Sequence, residues 1–199
     1  MKDKILSIIK AESEAILSIP IDSSYEAAID LIHKQVHQRG GKLVISGMGK
    51  AGQIAHNIAT TFSSTGTPSL FLHPSEAQHG DLGILQKNDV LMVISNSGKT
   101  REILELIDLK ESLYPGMPLI VITGDPKSPL AERSFITILT GGPAEVCPLG
   151  LTPTTSTTVM TVIGDSLVVL MMDRIRFTKA DYSQRHHGGY LGQKSRTGK

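Results

Sequence analysis

The sequence predicts an α/β fold in which helices cover both faces of a five-stranded parallel sheet. Short apolar segments rich in Val, Ile and Leu alternate along the chain with longer segments of helical periodicity, which is typical of βαβ units. Two of the apolar segments run directly into glycine-containing turns that open helices. With 199 residues, 40% of them apolar, the chain is long enough to bury a core of ordinary size.

Two helices are predicted before the sheet, over residues 2-17 and 24-38, with a break at Pro20. Apolar residues recur in both segments at spacings of three and four, which place them on one helix face. These positions are Ile5, Ile8, Ile9, Ala15 and Ile16 in the first helix, where Glu12 has the same spacing, and Ala28, Ile29, Ile32 and Val36 in the second. We expect residues 1-39 to pack on the domain or on a partner subunit.

The remaining elements alternate between strands and helices. Strands are predicted near residues 42-46, 68-73, 89-95, 118-123 and 135-140, and helices near 50-63, 100-113 and 127-132. A last helix begins in the Thr-rich segment 152-158, and its body from Val159 to Ile175 is apolar nearly all round. Such a helix is expected to be buried inside the fold or in a contact between subunits.

Charge and composition argue against several classes of protein. A net charge of +1, with four Tyr and four Phe residues, provides neither a basic field nor a stacking surface for nucleic acid. The first ten residues are too charged for a signal peptide, and we expect no membrane span. One cysteine, Cys147, suits a reducing compartment, so a cytoplasmic protein is expected, with this thiol as a small buried apolar group. Residues 193-199 are basic and polar, and we expect a mobile tail without a fold.

The segment from Leu91 to Thr100 predicts an anion-binding loop. An apolar strand ends here in a turn with the hydroxyls of Ser95, Ser97 and Thr100, and Gly98 allows close approach of the backbone. A helix that starts immediately afterwards directs its first N–H groups and positive dipole end to the same place. A phosphate group would fit, although a capped turn with no ligand explains the same residues.

A second glycine turn, from Gly47 to Gly52, follows the first predicted strand and contains Lys50. Loops after neighbouring parallel strands open into one crevice, so the two turns are expected to line a single pocket. The glycines also fit the G-x-G-x-x-G pattern of dinucleotide binding. That alternative lacks its acidic residue, because the next strand ends in His73 and Pro74.

Taken together, the motifs resemble those of sugar isomerase (SIS) domains, and most closely those of the arabinose 5-phosphate isomerases. The segments that carry the resemblance are 47-52, 64-68, 73-83, 95-98, 147-151, 153-158 and 188-192. The resemblance implies a flavodoxin-like three-layer sandwich over residues 1-192, a homotetramer built as a dimer of dimers, and interconversion of D-ribulose 5-phosphate and D-arabinose 5-phosphate. The product would supply 3-deoxy-D-manno-octulosonate (Kdo) for lipopolysaccharide.

The resemblance also implies roles for individual residues, with neither a metal nor a cofactor. The substrate phosphate would be held by Ser95, Asn96, Ser97, Thr100 and Gly49. The acid-base candidates are Lys50, Glu102, Glu145, His186 and His79. Either carboxylate could be the base that forms an enediolate if a partly dry pocket raises its pKa. The two histidines could move protons between oxygens, and the lysine could stabilise the developing charge.

Two departures from the family pattern affect the expected regulation and site. Relatives usually continue into a pair of CBS domains after the C-terminal glycine segment, whereas this sequence ends at Lys199. Feedback would then act on the SIS domain itself, and we expect the nucleotide sugar CMP-Kdo to bind in the active-site cleft. His187 also stands where relatives tend to have proline. An isomerase of another sugar phosphate and a non-catalytic sugar-phosphate sensor remain as alternatives.

Overall fold

The computed structural model describes residues 1–197 and confirms the five-stranded parallel sheet. The strands are β1 (Leu43–Gly47), β2 (Ser69–Phe71), β3 (Val90–Ile94), β4 (Leu119–Thr123) and β5 (Ile136–Leu139). Their spatial order is β2-β1-β3-β4-β5, and every neighbouring pair is parallel. This is the doubly wound order of flavodoxin-like folds, whose strand order reverses between β1 and β3.

Helices lie on both faces of the sheet. Four helices belong to one face of the sheet: α1 (Lys2–Leu17), α2 (Ser24–Ile32), α3 (Gly49–Ser64) and α7 (Thr155–Arg174). Those of the opposite face are α4 (Pro74–Ala77), α5 (Arg101–Leu113) and α6 (Pro129–Glu132). The C-terminal segment adds α8 (Lys179–Arg185) and α9 (Gly189–Thr197).

The alternation of side chains along the strands divides the core into two layers. Leu43 and Ile45 of β1 face α2, α3 and α7, whereas Val44 between them faces the layer of α5. The same alternation runs through β3, where Met92 joins the first layer and Leu91 the second. Buried parallel strands read as continuous apolar runs for this reason, since both faces are covered.

Helix α7 is half-buried rather than enclosed on all sides. One face of the helix, with Val159, Ile163 and Leu167, is fully buried in the first layer, while Val169 and Leu170 are exposed. Contrary to our expectation of no membrane span, the helix is long and apolar enough by composition to cross a membrane. Half of its apolar stretch is buried against the rest of the fold, as in the core helix of a globular domain.

The structure contains several short elements that periodicity did not predict. The second predicted helix changes type along its length. Its α-helical part, α2, ends at Ile32, and a π-helical turn follows over His33–Gln38. Helices α8 and α9 were also missed, although the capping box of Thr178 and Asp181 marks the start of α8. We expected no secondary structure from residue 193 onwards. That expectation is wrong for the residues up to Thr197, because α9 ends there. Residues 198 and 199 of that tail lie outside the described residues.

Candidate active site

The site lies where β1 and β3 end side by side, at the point where the strand order reverses. A cavity of about 340 Å³ opens there. Its walls come from the loops after β1 and β3, the segment before α7, and the first turns of α7. The lining residues are Met48, Lys50, Ala51, Ile94, Ser95, Asn96, Ser97, Thr100, Glu145, Gly150, Leu151, Pro153, Ser156, Thr157 and Met160. Six predicted site residues are therefore brought together. The sheet topology explains the five that follow β1 and β3, whereas Glu145 comes from the segment after β5.

The loop after β3 presents hydroxyl groups in front of α5. The Oγ of buried Ser95 accepts the N–H of Gly98 at 3.2 Å and lies 3.2 Å from the Oγ1 of Thr100. Thr100 occupies the N-cap position of α5 without a side-chain capping bond, so the simple capped-turn interpretation does not account for it. The carbonyl oxygen of Asn96 accepts the N–H of Gly124 at 3.0 Å, which fixes the loop to the end of β4.

A glycine is required at position 98 for two separate reasons. Its φ of +61° lies in the left-handed region that side chains disfavour. A Cβ added to Gly98 would also lie 2.1 Å from the Oγ of Ser128, which is part of the N-cap of α6. The loop after β3 is therefore packed directly against the loop after β4, and its backbone N–H groups are held in place.

The glycines of the second turn serve close packing of β1 against α3. A Cβ on Gly52 would lie 2.6 Å from the carbonyl oxygen of Gly47, so the strand end and the helix touch through their backbones. This contact explains two glycines of the G-x-G-x-x-G pattern without a dinucleotide. Helix α3 begins at Gly49, and Lys50 in its first turn is exposed and lines the cavity. Gly49 itself does not line it, although both of its neighbours do.

Glu145 lines the cavity and also caps α7. Its Oε2 accepts the N–H and the hydroxyl of Thr154 at 2.7 and 2.8 Å and the N–H of Ser156 at 3.4 Å. Burial raises the pKa of this carboxyl, but the hydrogen bonds from Ser156 and Thr154 together outweigh burial and hold the pKa below its ordinary value. The condition that a partly dry pocket raises the pKa is therefore not met at Glu145, because the polar end of a helix surrounds the carboxylate.

Cys147 differs from the inert buried thiol that the sequence predicted. The residue is half-buried, and its Sγ accepts the backbone N–H groups of Thr152 at 3.2 Å and Leu151 at 3.3 Å. These bonds, led by that of Thr152, lower the pKa of the thiol to about 7 despite the opposing effect of burial. Backbone amides supply the stabilisation that charged side chains provide in other reactive cysteines, so a search for basic residues misses it.

Three predicted catalytic residues lie outside the cavity wall of their own chain. Glu102 is half-buried in the first turn of α5, and His79 is exposed in the turn after α4. His186 ends α8, where its ring stacks on Tyr182 at a centroid distance of 3.6 Å and its Nδ1 lies 3.0 Å from the carbonyl oxygen of that residue. The structure of one chain therefore assembles the anion loop, Lys50 and Glu145, but not these three side chains.

The first turns of α7 contribute wall residues that had no assigned role in the sequence. Ser156, Thr157 and Met160 all line the cavity. The Thr-rich run before an apolar helix marks a helix N-terminus, which could have indicated a third helix end at the pocket. Within residues 1–197, no three His, Cys, Asp or Glu side chains form a group that could hold a metal ion.

Comparison with known proteins places this site in a family. The profile of the SIS domain matches residues 35–170, which include the loops after β1 and β3 and most of α7. The chain belongs to the SIS domain family. Arabinose 5-phosphate isomerases KdsD of Pseudomonas aeruginosa and Escherichia coli K12 are 46% and 48% identical to it over 154 residues, or 77% of the chain. The chain spans about half the length of these relatives, 47% and 46% respectively.

Solved SIS structures superpose on nearly the whole chain. A Bacteroides fragilis protein named for phosphosugar isomerisation and capsule formation is 65% identical, with a TM-score of 0.94, and the match covers 96% of this chain and 99% of that one. The protein c3406 of Escherichia coli CFT073, solved in complex with arabinose 5-phosphate, is 38% identical, with a TM-score of 0.82 and coverage of 92% and 95%. The SIS fold thus extends over almost all of the sequence.

Proposed function

We propose that the protein is an aldose-ketose isomerase that interconverts D-ribulose 5-phosphate and D-arabinose 5-phosphate. The observation that carries the proposal is the cavity itself, which has an anion-binding loop and, in the same wall, a lysine and a carboxylate. Such a cavity suits a short sugar chain with a phosphate at one end. The names of the KdsD relatives and the arabinose 5-phosphate bound to c3406 support a pentose phosphate.

The loop after β3 is the proposed phosphate anchor. Ser95, Asn96, Ser97 and Thr100 line the cavity in front of α5, and Gly49 opens α3 on the adjacent strand. Hydrogen bonds to a charged phosphate contribute about 1.5–3 kcal/mol each, so loss of one hydroxyl should mainly raise KM. The positive ends of α3 and α5 add favourable electrostatics for the same dianion.

Glu145 is the preferred base because it lines the cavity, whereas Glu102 does not. The base would remove a proton from C1 of the ketose, leaving an enediolate across C1 and C2. Return of a proton to C2, with a proton moved from the C1 hydroxyl to the C2 oxygen, gives the aldose without any net gain or loss. The Lys50 ammonium group would stabilise the negative charge of the enediolate.

The proposed proton shuttles are His186 and His79, which lie outside the cavity of their own chain. A homotetramer would bring side chains of a neighbouring subunit to the site. Support comes from the large apolar side chains that one chain leaves exposed, including Ile5, Leu6 and Ile9 on α1 and Val169 on α7. We treat the chain as one SIS domain within that assembly, with His186 supplied by a neighbour.

We further propose that the reaction takes place in the cytoplasm without a metal or cofactor and supplies Kdo for lipopolysaccharide. CMP-Kdo is proposed as a feedback inhibitor at the cleft, where positive helix ends suit its carboxylate and phosphate groups. Calorimetry with CMP-Kdo tests this step. Binding that competes with the sugar phosphate supports the proposal, and absence of binding contradicts it.

The decisive experiment is NMR of the protein with D-ribulose 5-phosphate in deuterium oxide, with metals chelated. D-arabinose 5-phosphate deuterated at C2 is the expected product, because proton exchange with solvent accompanies an enediolate. Parallel incubations with a hexulose 6-phosphate and a heptulose 7-phosphate serve as controls for specificity. Turnover of one of these in place of the pentose would contradict the proposed substrate, and no turnover at all would contradict an isomerase.

A further inference from the structure

The N-terminal helix α1 makes a side-chain hydrogen bond to the start of α7, next to the residues that bind the Glu145 carboxylate. Of its apolar residues, Ala15 and Ile16 pack against the core, and none of the residues of the helix is buried. The contact is made by Glu12, whose Oε1 accepts the hydroxyl of Thr155 at 3.2 Å. Helix α1 therefore contributes few apolar side chains to the core, but it places the Glu12 carboxylate against Thr155, the first residue of α7.

Thr155 is also hydrogen-bonded to the segment that contains Glu145. The threonine is 1% exposed, and its Oγ1 accepts the N–H of Val146 at 3.2 Å while it donates to Glu12. A single hydroxyl therefore joins α1 to the peptide that follows Glu145. Because the peptide group is planar, fixing the N–H of Val146 also fixes the direction of the Glu145 carbonyl group. The two chain neighbours of Thr155, Thr154 and Ser156, hold the Glu145 carboxylate itself.

Two carboxylates thus share the N-terminus of α7 in different ways. Glu145 accepts the hydrogen bonds of Thr154 and Ser156 and lines the cavity. Glu12 contacts Thr155 and does not line the cavity, and within residues 1–197 its buried Oε2 has no hydrogen-bond partner. A buried polar atom without a partner is costly, which argues against a role in stability alone.

We propose that Glu12 is a positioning residue, which holds Glu145 in its productive orientation through the hydroxyl of Thr155. The inference rests on the proposed isomerase function, and it adds a residue far from the glycine motifs to the machinery of that reaction. Without Glu12, the Thr155 hydroxyl loses its acceptor and can rotate away from Val146. Small displacements of a reacting group have large effects on rate, up to about 100-fold for about 1 Å.

The test compares kcat and KM for four variants. Glu12→Ala and Thr155→Val each break the chain of hydrogen bonds and should lower kcat about 10- to 100-fold with KM nearly unchanged. Glu12→Gln keeps an acceptor and Thr155→Ser keeps the hydroxyl, so both should retain most of the activity. The double variant Glu12→Ala/Thr155→Val should be no slower than either single variant, because both remove the same link.

Glu14→Ala is the matched control, since Glu14 is an exposed residue of the same helix whose ion pair with Lys10 spans 3.8 Å. It should leave kcat and the melting temperature unchanged. Unchanged kcat in folded Glu12→Ala and Thr155→Val, or an effect on KM alone, would overturn the inference. Should Glu12→Ala fail to fold, the comparison of Thr155→Val with Thr155→Ser decides.

A readout without turnover separates this inference from the proposed function. Cys147 lies in the segment that Val146 anchors, so its alkylation by iodoacetamide reports on the order of that segment. At a pH high enough to ionise the thiol in both proteins, the rate in Glu12→Ala should rise at least about threefold, because a loosened segment exposes its half-buried thiol more often. If wild type shows no isomerase activity, a rise still supports the positioning contact and an unchanged rate overturns it.

Discussion

At the scale of single residues, Glu145 combines two duties that are usually separate. It caps α7 through Thr154 and Ser156, and the same carboxylate lines the cavity. A carboxylate held by helix N–H groups stays ionised at neutral pH, as a base must, but is weaker as a base than one with a raised pKa. If Glu145 is the proposed base, its contribution to the rate must come from its position rather than from its basicity.

Replacing Glu145 tests this assignment. We expect Glu145→Gln to lower kcat by about 10²- to 10⁴-fold, the usual contribution of a general base, with a smaller effect on KM. Glu102→Gln should have a smaller effect, because Glu102 lies outside the cavity wall. Steady-state kinetics with D-ribulose 5-phosphate gives both values. The assignment is wrong if Glu102→Gln is the slower of the two variants.

The capping role of Glu145 predicts a dependence of stability on pH. Because the pKa in the folded state lies below the ordinary value of 4.5, the ionised carboxylate stabilises the fold. This contribution is fully present above the ordinary pKa and is lost as the pH falls through the lower, folded-state pKa. Urea unfolding should therefore show a larger difference between wild type and Glu145→Gln at pH 7 than at pH 3.5. An equal difference at both values would contradict the cap.

Cys147 allows a direct measurement of the segment before α7. Its thiol has a pKa lowered to about 7 by the N–H groups of Thr152 and Leu151. Alkylation by iodoacetamide should rise with pH around a midpoint near 7 rather than near the ordinary value of about 8.5. Since Cys147 is the only cysteine of the sequence, labelling needs no background correction. A midpoint above pH 8 would show that these hydrogen bonds do not form.

At the scale of elements, the loop after β3 depends on backbone conformation as much as on its hydroxyls. Gly98→Ala adds a Cβ in a left-handed conformation and against Ser128, so the N–H groups of the loop should be displaced. We expect KM for the sugar phosphate to rise at least about tenfold, as when one good hydrogen bond to the phosphate is lost.

Gly116→Ala is the matched control for this loop. Gly116 also has a positive φ, of +76°, but a Cβ there would meet nothing within 4 Å, and the residue lies away from the cavity. This variant should show the backbone strain alone, as a lower melting temperature with normal KM. Equal KM for the two variants would contradict a role of the Gly98 loop in phosphate binding.

At the scale of the whole molecule, a single chain leaves two features unexplained. Apolar surface on its helices is exposed, and one predicted catalytic residue lies outside its cavity. The first nine residues of α1 are all exposed, although they include Ile5 and Ile9. His186 lies on a C-terminal segment that does not reach the cavity. Both facts suit an assembly in which subunits cover each other's apolar surface and exchange side chains.

Mixing two inactive variants tests the shared site. If His186 acts in a neighbouring subunit, co-expressed Glu145→Gln and His186→Ala chains should regain activity, with about one quarter of the sites carrying both native residues. Each variant alone serves as the control and should stay inactive. No recovery in confirmed mixed oligomers would place both residues in a single chain.

The sequence by itself determined the sheet, its five strands and the two loops of the site. Continuous apolar strands, glycine turns and helix periodicity are local patterns, and parallel topology places the ends of neighbouring strands together. Ser95, Thr100 and Lys50 could therefore be assigned from sequence neighbours alone. Helix bounds such as Lys2–Leu17 followed from the same periodicity.

Tertiary structure alone decided the environment of each candidate. The cap of Glu145, the amides around Cys147 and the contact of Glu12 with Thr155 all join segments whose pairing depends on how α7 returns across the sheet. Hydrogen-bond partners set the pKa and the orientation of a side chain, and these partners are distant in sequence. The chemical groups of the site can therefore be identified from the sequence, whereas their pKa values and orientations depend on the tertiary structure.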